Sequence, residues 1–215
     1  MSSATAETTQ RRIPQSRLVA AGRRLFGKRL FIGLAIAAVG LKLLTPQPFF
    51  APGHRLSQGC ALLLVAAGLA LRAWGSGCAG THTRSATIEA PRLITGGPFA
   101  YLRNPIYSGT MCLGFGMALL IGDPLAFVLA AIAFAILYFS IVPAEESFLR
   151  KQFGVEYERY CQAVPRLVPR LRPWSERVET PFQWHAARGE CFIGLIVLAI
   201  YLALHAKEFL ERALR

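Results

Sequence analysis

Residues 106–142 read IYSGTMCLGFGMALLIGDPLAFVLAAIAFAILYFSIV and contain a single charged side chain. Residues 122–124, Gly-Asp-Pro, are a compact turn signal between two apolar runs, at about 106–121 and 125–142. These runs predict two antiparallel helices that form a hairpin in a membrane. In such a hairpin, the beginning of the first helix and the end of the second lie on the same side of the bilayer.

Three further apolar runs, at about 30–44, 56–74 and 191–205, flank this hairpin. Hydrophobic residues make up 53% of the chain and charged residues 17%, whereas soluble domains usually carry about 25% charged residues. The charged residues collect between the runs, which is the pattern of a chain solvated by lipid. We therefore predict an all-α, multi-pass membrane bundle of about five transmembrane helices with cytoplasmic interfacial helices. For the last run, a helix at the membrane surface is the alternative.

The distribution of basic residues predicts the orientation of the bundle. Segment 1–29 carries seven basic residues and one acidic residue, and it reads as a basic tail with an interfacial segment rather than a cleavable signal. It precedes a membrane domain at 30–215. The positive-inside rule then places the N-terminus and the loops 75–105 and 143–190 in the cytoplasm. We assign the net charge of +12 to contact with anionic lipid headgroups and predict no nucleic acid partner.

A first polar cluster opens the hairpin at Arg103-Asn104-Pro105 and continues to Tyr107. Proline is favoured in the first turn of a helix, and asparagine is favoured at the N-cap before it. The free backbone N–H groups of this turn, together with Arg103, predict an anion site at the membrane surface. The alternative is a capped helix with an interfacial arginine and tyrosine.

A second polar cluster, Glu145-Glu146, follows Pro143. Adjacent carboxylates near the end of a membrane helix are costly unless they are paired or functional. They can bind an ammonium group, position a cationic sulfur or act as bases. The alternative is a solvated helix start with carboxylates favoured by the helix dipole. Because the hairpin returns them to the 103–107 end, we expect the two clusters to face each other and form a site.

Two further segments, 153–169 and 75–80, contain patterns that are typical of functional sites. Residues 153–169 predict an amphipathic, aromatic segment that covers the site, with Tyr157 and Tyr160 on one helical face; a surface helix anchored in headgroups is the alternative. Residues 75–80, GSGCAG, match a dinucleotide-binding pattern, but they follow a membrane helix and predict a flexible exit loop. The five cysteines and four histidines show no ligand spacing, so no disulfide framework or metal site is expected.

Taken together, these segments resemble a known superfamily, that of the isoprenylcysteine carboxyl methyltransferases and phospholipid methyltransferases. The resemblance covers about residues 90–170. The matching pieces, in order, are LITGGPF at 93–99, RNPIY at 103–107, the hydrophobic hairpin, Glu145-Glu146, Phe153-Gly154, Tyr157, Tyr160 and VPR at 164–166. The resemblance implies a multi-helix membrane fold that binds S-adenosylmethionine at the cytoplasmic face, without a Rossmann domain.

The resemblance also implies roles for individual residues. The implied cofactor-binding residues are Leu93, Ile94, Phe99, Arg103, Asn104, Pro105, Tyr107 and Glu145. Among them, Glu145 would hold the amino group of the cofactor, and Arg103 would help to shape a pocket for its carboxylate. Glu145, Glu146 and Tyr107 are the candidate catalytic residues, since methyl transfer from a sulfonium requires the positive sulfur to lie near carboxylates or aromatic faces.

Three positions depart from the family pattern. Asn104 replaces a histidine and removes a titratable ring, and Pro91 replaces a histidine that contacts the cofactor in many relatives. Ile141 stands where the prenylcysteine enzymes carry an arginine that pairs with the substrate carboxylate. The methyl acceptor is therefore expected to be lipid-like or otherwise apolar, and its identity stays open. An NADPH-dependent membrane reductase of the sterol-reductase type and a non-enzymatic membrane protein are the alternative functions.

Overall fold

The computed structural model describes residues 55–80 and 90–213, together with scattered residues between Leu25 and Pro46. Every regular element in these ranges is helical, which confirms the predicted fold class for this part of the chain. The elements are α1 (Arg55–Ala79), a 3-10 helix (Gly97–Ala100), α2 (Pro105–Ile121), α3 (Pro124–Ile136), α4 (Val142–Ala163) and α5 (Trp184–Ala213). The basic tail up to residue 24 and much of the first apolar run lie outside the described residues.

Three helical segments in the described ranges are long and apolar enough to cross a membrane. They are Leu56–Ala79, Pro124–Ala163 and Trp184–Ala206. The apolar helix α2 has 17 residues, which corresponds to about 25 Å at the usual rise per residue. The predicted last run lies within α5, so it belongs to a helix of sufficient length to span. These lengths and compositions fit a multi-pass membrane bundle.

The predicted turn between the two hairpin helices is confirmed in its details. Gly122 ends α2 in the left-handed conformation, with φ of 70°. The Asp123 carboxylate accepts a hydrogen bond from the backbone N–H of Leu125 at 2.8 Å, and Pro124 opens α3. Helices α2 and α3 are therefore antiparallel, and the end of the hairpin returns to the level at which α2 begins.

The helix extends beyond the predicted end of its apolar run at about residue 142, since the chain stays helical from Pro124 to Ala163. A regular helix does not accommodate an interior proline, which lacks the N–H donor and clashes with the preceding turn. Here a wider π-helical turn, Leu137–Ile141, directly precedes the proline and joins α3 to α4. Glu145 and Glu146 consequently lie on a helix that continues past the bundle, with a kink at Gly154 where φ is 51°.

Helices α1 and α2 approach each other along a seam of small residues. A Cβ on Gly68 of α1 would lie 2.7 Å from the Gly109 carbonyl oxygen of α2. One helical heptad away, a Cβ on Gly116 would lie 3.1 Å from the Ala61 carbonyl oxygen. Small side chains at such positions let membrane helices come close enough for their backbones to touch. This seam fixes where α2, and hence the first polar cluster, sits relative to α1.

The prediction of a flexible exit loop at residues 75–80 is wrong. Residues 75–79 form the last turn of α1, and the stretch 75–78 is buried. A Cβ on Gly75 would lie 2.8 Å from Cγ1 of Ile106, so this glycine serves close helix packing. Gly75 therefore belongs to the α1–α2 contact, Gly77 lies against the Phe182 ring, and Gly80, with φ of 79°, follows the end of the helix in a left-handed conformation.

A buried polar network joins α1, α2 and α5 and was not predicted from the sequence. The Arg72 guanidinium donates to the Glu190 carboxylate at 2.7 Å, and the Ser76 hydroxyl donates to its other oxygen at 2.7 Å. Arg72 also donates to the hydroxyl of Thr110, which in turn donates to the Ile106 carbonyl oxygen at 2.9 Å. Such hydrogen bonds between apolar helices tie them together where no hydrophobic force favours association.

Candidate functional site

The two polar clusters meet at the end of the bundle where α2 and α4 begin. The Tyr107 hydroxyl donates a hydrogen bond to the Glu145 carboxylate at 2.9 Å. The Asn104 side-chain amide donates to the Glu146 carboxylate at 3.3 Å. The prediction that the hairpin brings these clusters face to face is therefore confirmed.

Glu146 is the buried centre of this arrangement, with a side chain that is only 2% exposed. Arg166 donates two hydrogen bonds to its carboxylate, from Nε at 3.0 Å and from a terminal nitrogen at 2.5 Å. The Arg103 guanidinium lies 3.9 Å from the same carboxylate. A buried carboxylate is stable only when it is paired and hydrogen-bonded, and this bidentate geometry is among the strongest pairings available.

At the start of α2, where an anion site was expected, Arg103 and Asn104 face the Glu146 carboxylate of the same chain. Asn104 holds the N-cap position and Pro105 the first turn, as predicted. The Asn104 side chain, however, makes no capping bond, because its amide donates to Glu146. The anion that Arg103 and Asn104 face in this structure is therefore the Glu146 carboxylate.

Arg166 belongs to the site, although its sequence position alone predicts no role for it. The Arg103 backbone N–H donates to the Pro165 carbonyl oxygen at 2.9 Å, which holds residue 166 beside the cluster. The hydrogen bonds with Glu146 raise the pKa of the Arg166 guanidinium above its ordinary value. Its guanidinium carbon also lies 5.5 Å from the centre of the Tyr138 ring. In the sequence, Arg166 stands out only as the last residue of the family-like VPR stretch at 164–166.

The end of α4 covers the neighbouring segment with aromatic side chains. Tyr157 and Tyr160 are both buried on one helical face, as predicted, and they cluster with Val164 and Trp174. The Tyr160 hydroxyl donates to the Phe99 carbonyl oxygen at 2.7 Å, so α4 is fastened to the 3-10 helix.

The structure does not bring every predicted residue to the carboxylates. Leu93 packs against the aromatic cluster of Tyr157 and Tyr160, and Ile94 is half-buried in the same segment. Phe99 is half-buried, and its carbonyl is bound to Tyr160. These three residues therefore border the site through the aromatic cluster, whereas the hydrogen-bonded centre consists of Arg103, Asn104, Tyr107, Glu145, Glu146 and Arg166.

A narrow cleft opens beside this centre. Its walls are Asn104, Tyr107, Phe134, Leu137, Tyr138, Val142, Arg166 and Leu167. The cavity volume is about 10 Å³, far below the range of roughly 300–1,000 Å³ that is usual for small-molecule sites. The lining therefore combines polar side chains from the start of α2 and from Arg166 with apolar side chains of the α3–α4 helix.

Two buried donors near the cluster have no hydrogen-bond partner within the described part of the chain. They are Nε of Arg103 and a terminal nitrogen of Arg170. Buried donors of this kind are rare in folded proteins, and each calls for an explanation such as a bound group. The Arg170 backbone N–H is bonded to the Tyr101 carbonyl oxygen at 3.0 Å, so the two arginines belong to adjacent backbone segments.

The chain is similar to several known proteins. Residues 55–156 match the phospholipid methyltransferase family. The chain is 34% identical over 85 residues to protein-S-isoprenylcysteine O-methyltransferase B of Arabidopsis thaliana, which covers 38% of this chain and 41% of that protein. It is 31% identical over 77 residues to the protein-S-isoprenylcysteine O-methyltransferase of Schizosaccharomyces pombe, or 36% of this chain and 33% of that protein.

A third relative carries a different kind of name. The chain is 29% identical over 126 residues to a nickel-cobalt-cadmium resistance protein of Alcaligenes xylosoxydans xylosoxydans, which covers 55% of this chain and 59% of that protein. The matches thus span between about a third and three fifths of the relatives' length. No solved structure matches the chain.

The family match runs from the start of α1 to Glu156 and so includes α2, the hairpin turn and both carboxylates. The similarity to two isoprenylcysteine methyltransferases points to the same group of proteins. Residues 55–156 of the chain are therefore similar to the phospholipid methyltransferases, and shorter stretches are similar to the isoprenylcysteine O-methyltransferases.

Proposed function

We propose that this protein transfers a methyl group from S-adenosylmethionine to a lipid-like or other apolar acceptor at the cytoplasmic face of a membrane. The observation that carries the proposal is the pairing of Tyr107 with Glu145 and of Asn104 with Glu146, inside the segment that matches the family. The relatives named as methyltransferases support the reaction type. The basic residues on the loops at this end support the cytoplasmic orientation.

The residues of the site fit such a cofactor in charge. An amino acid moiety presents an ammonium and a carboxylate, and the sulfonium adds a second positive charge. Glu145 supplies an anion for the ammonium, and the unpartnered Nε of Arg103 supplies a buried donor for the carboxylate. The cleft itself is too small for a nucleoside, so binding of the cofactor requires the cleft to widen.

S-adenosylmethionine supplies a methyl group already activated on a positively charged sulfur, so the protein contributes chiefly position and environment. Tyr107 fixes the Glu145 carboxylate through its 2.9 Å hydrogen bond, and an aromatic face with a carboxylate stabilises a neighbouring cation. The apolar walls at Phe134, Leu137 and Val142 exclude water from the acceptor side of the cleft. Aligning donor and acceptor in such a dry site accounts for much of the acceleration of a methyl transfer.

The surroundings of the cleft support an apolar acceptor. Ile141, at the position where prenylcysteine enzymes carry an arginine, is buried and provides no charge for a substrate carboxylate. The apolar lining of the cleft lies between α2 and the α3–α4 helix, where an acceptor dissolved in the bilayer can enter sideways. Incubation with labelled S-adenosylmethionine and a lipid extract, followed by identification of the labelled product, would name the acceptor.

The role of Glu145 is tested by isothermal titration with S-adenosylmethionine. We expect Glu145→Ala to weaken binding by roughly 10- to 100-fold, because a hydrogen bond to a charged group contributes about 1.5–3 kcal/mol. Glu158→Ala is the matched control, since Glu158 lies on the same helix, half exposed and paired with Arg150. Equal affinity of wild type and Glu145→Ala would remove Glu145 from the cofactor site.

A membrane reductase is the second candidate, because the reductases of the sterol-reductase type have a similar Arg-His-Pro-x-Tyr segment to the one at 103–107. Thermal unfolding in the presence of each ligand separates the two functions, since a ligand that binds only the folded state raises the melting temperature. We expect stabilisation by S-adenosylhomocysteine and none by NADPH. The reverse result would favour the reductase, and no shift with either ligand would favour a non-enzymatic protein.

A further inference from the structure

The segment between α4 and α5, residues 164–183, is a loop with a fixed backbone. The Arg103 N–H donates to Pro165, the Arg170 N–H donates to Tyr101 at 3.0 Å, and the Trp174 N–H donates to Ala100 at 3.0 Å. These bonds attach the loop to the segment directly before α2. Its side chains are therefore presented in a defined arrangement.

The tip of this loop, defined as residues 168–172, exposes aliphatic side chains. Leu171 is 100% exposed and Val168 is 75% exposed. Both are held outward by the backbone bonds of the loop and contribute nothing to the aromatic cluster beneath it. Aliphatic groups fixed in this way are unfavourable in water and favourable at the boundary between lipid headgroups and acyl chains.

The tip and the residues next to it carry only positive charge, whereas Glu176 and Glu179 lie further along the loop. Residues 164–175 contain Arg166, Arg170 and Arg172 and no acidic residue. Arg166 is engaged with Glu146, whereas Arg172 is exposed beside Leu171. A guanidinium next to inserted aliphatic groups matches an anionic phosphate in geometry and in charge.

The loop that carries the tip connects two candidate membrane spans, Pro124–Ala163 and Trp184–Ala206. The next helix, α5, is a candidate membrane span that begins at Trp184. Phe182 and the exposed Trp184 contact each other edge to face with ring centres 4.9 Å apart, and such aromatic pairs favour the membrane interface. The Gln183 N–H donates to the Gly77 carbonyl oxygen at 2.8 Å, which fixes this junction at the end of α1.

We propose that residues 168–172 form a binding site for anionic phospholipid headgroups, with Val168 and Leu171 inserted at the acyl boundary and Arg172 bound to the phosphate. The site is separate from the cleft and does not depend on the proposed reaction. It places a lipid contact on the loop that also supplies Arg166 to Glu146. The lipid contact at the tip and the contact between Arg166 and Glu146 therefore lie on the same loop.

The test uses the full chain in nanodiscs of equal parts phosphatidylcholine and phosphatidylglycerol. Leu171 is replaced by the photo-reactive amino acid p-benzoylphenylalanine, and after illumination the adducts are identified by mass spectrometry. The same amino acid in place of Gln162, an exposed polar residue on α4, is the control. Since position 171 is fully exposed, the replacement leaves the packing intact, which elution as a single species verifies.

We expect several-fold more lipid adducts at position 171 than at position 162, with phosphatidylglycerol favoured about five-fold over phosphatidylcholine. Adding Arg172→Gln to the position 171 variant should abolish that preference while the lipid adducts remain. Equal lipid adducts at both positions, or adducts to a peptide of the chain itself, would overturn the proposal. Lipid adducts without any headgroup preference would also overturn it, because the anionic contact would then be absent.

Discussion

Replacing Glu146 by alanine is expected to lower the free energy of unfolding by about 3–5 kcal/mol, the range measured when one partner of a buried ion pair is removed. Its carboxylate accepts two hydrogen bonds from Arg166 and one from Asn104, and Arg103 lies within 3.9 Å. The substitution leaves two guanidinium groups close together without their anion. A lower melting temperature in detergent, followed by tryptophan fluorescence, is the measurement.

The matched control for this change is Glu158→Ala on the same helix. Glu158 accepts a hydrogen bond from Arg150 at 2.6 Å, but both side chains are about half exposed. Exposed ion pairs contribute only about 0–1 kcal/mol, so the control should melt close to wild type. Equal shifts for the two alanine variants would show that Glu146 is not the centre of a buried cluster.

A double substitution sharpens the same test. Because Arg166 and Glu146 interact directly, the effects of Arg166→Ala and Glu146→Ala should not add. The double variant is expected to be more stable than the sum of the single changes predicts, since neither charge is then left buried without its main partner. Strict additivity would contradict the bidentate contact.

The position of the site was predictable because the signals that create it are local. Gly122 ends α2 because it adopts a left-handed φ. Asp123 caps the start of α3 with its carboxylate, and Pro124 has the fixed φ of a first helical turn. Once two apolar helices are joined in this way, the beginning of one must face the end of the other. The contacts of Tyr107 with Glu145 and of Asn104 with Glu146 follow from this one turn.

The partners of the charged groups were not predictable, because they depend on which helix faces meet. Arg166 reaches a carboxylate 20 residues away, and Arg72 pairs with Glu190 across 118 positions. No periodicity in the sequence encodes these distances. The glycines at 75–80 show the same limit, since a glycine that permits close helix packing and a glycine in a loop are identical in the sequence.

The α1–α2 seam is visible in the sequence as small residues at heptad spacing, Ala61, Gly68 and Gly75. Its structural importance gives the second large prediction, that Gly68→Ala sharply reduces the stability of the protein. The added Cβ would lie 2.7 Å from the Gly109 carbonyl oxygen and 2.9 Å from the Leu113 backbone nitrogen. Both are backbone atoms of α2, so no side-chain rotation relieves the clash.

Helix α1 supplies an exact counterpart at Gly59, where an added Cβ would meet no atom within 4 Å. Overpacking typically costs about 1–3 kcal/mol and occasionally more, whereas alanine in place of an exposed helical glycine stabilises by roughly 0.5–1 kcal/mol. The two variants should therefore shift the melting temperature in opposite directions, with a loss of monodisperse protein on gel filtration for Gly68→Ala alone. If both substitutions raised the melting temperature, the helices would not be in backbone contact at Gly68. The start of α2, and with it Asn104 and Tyr107, would then lack the support that places them against Glu145 and Glu146.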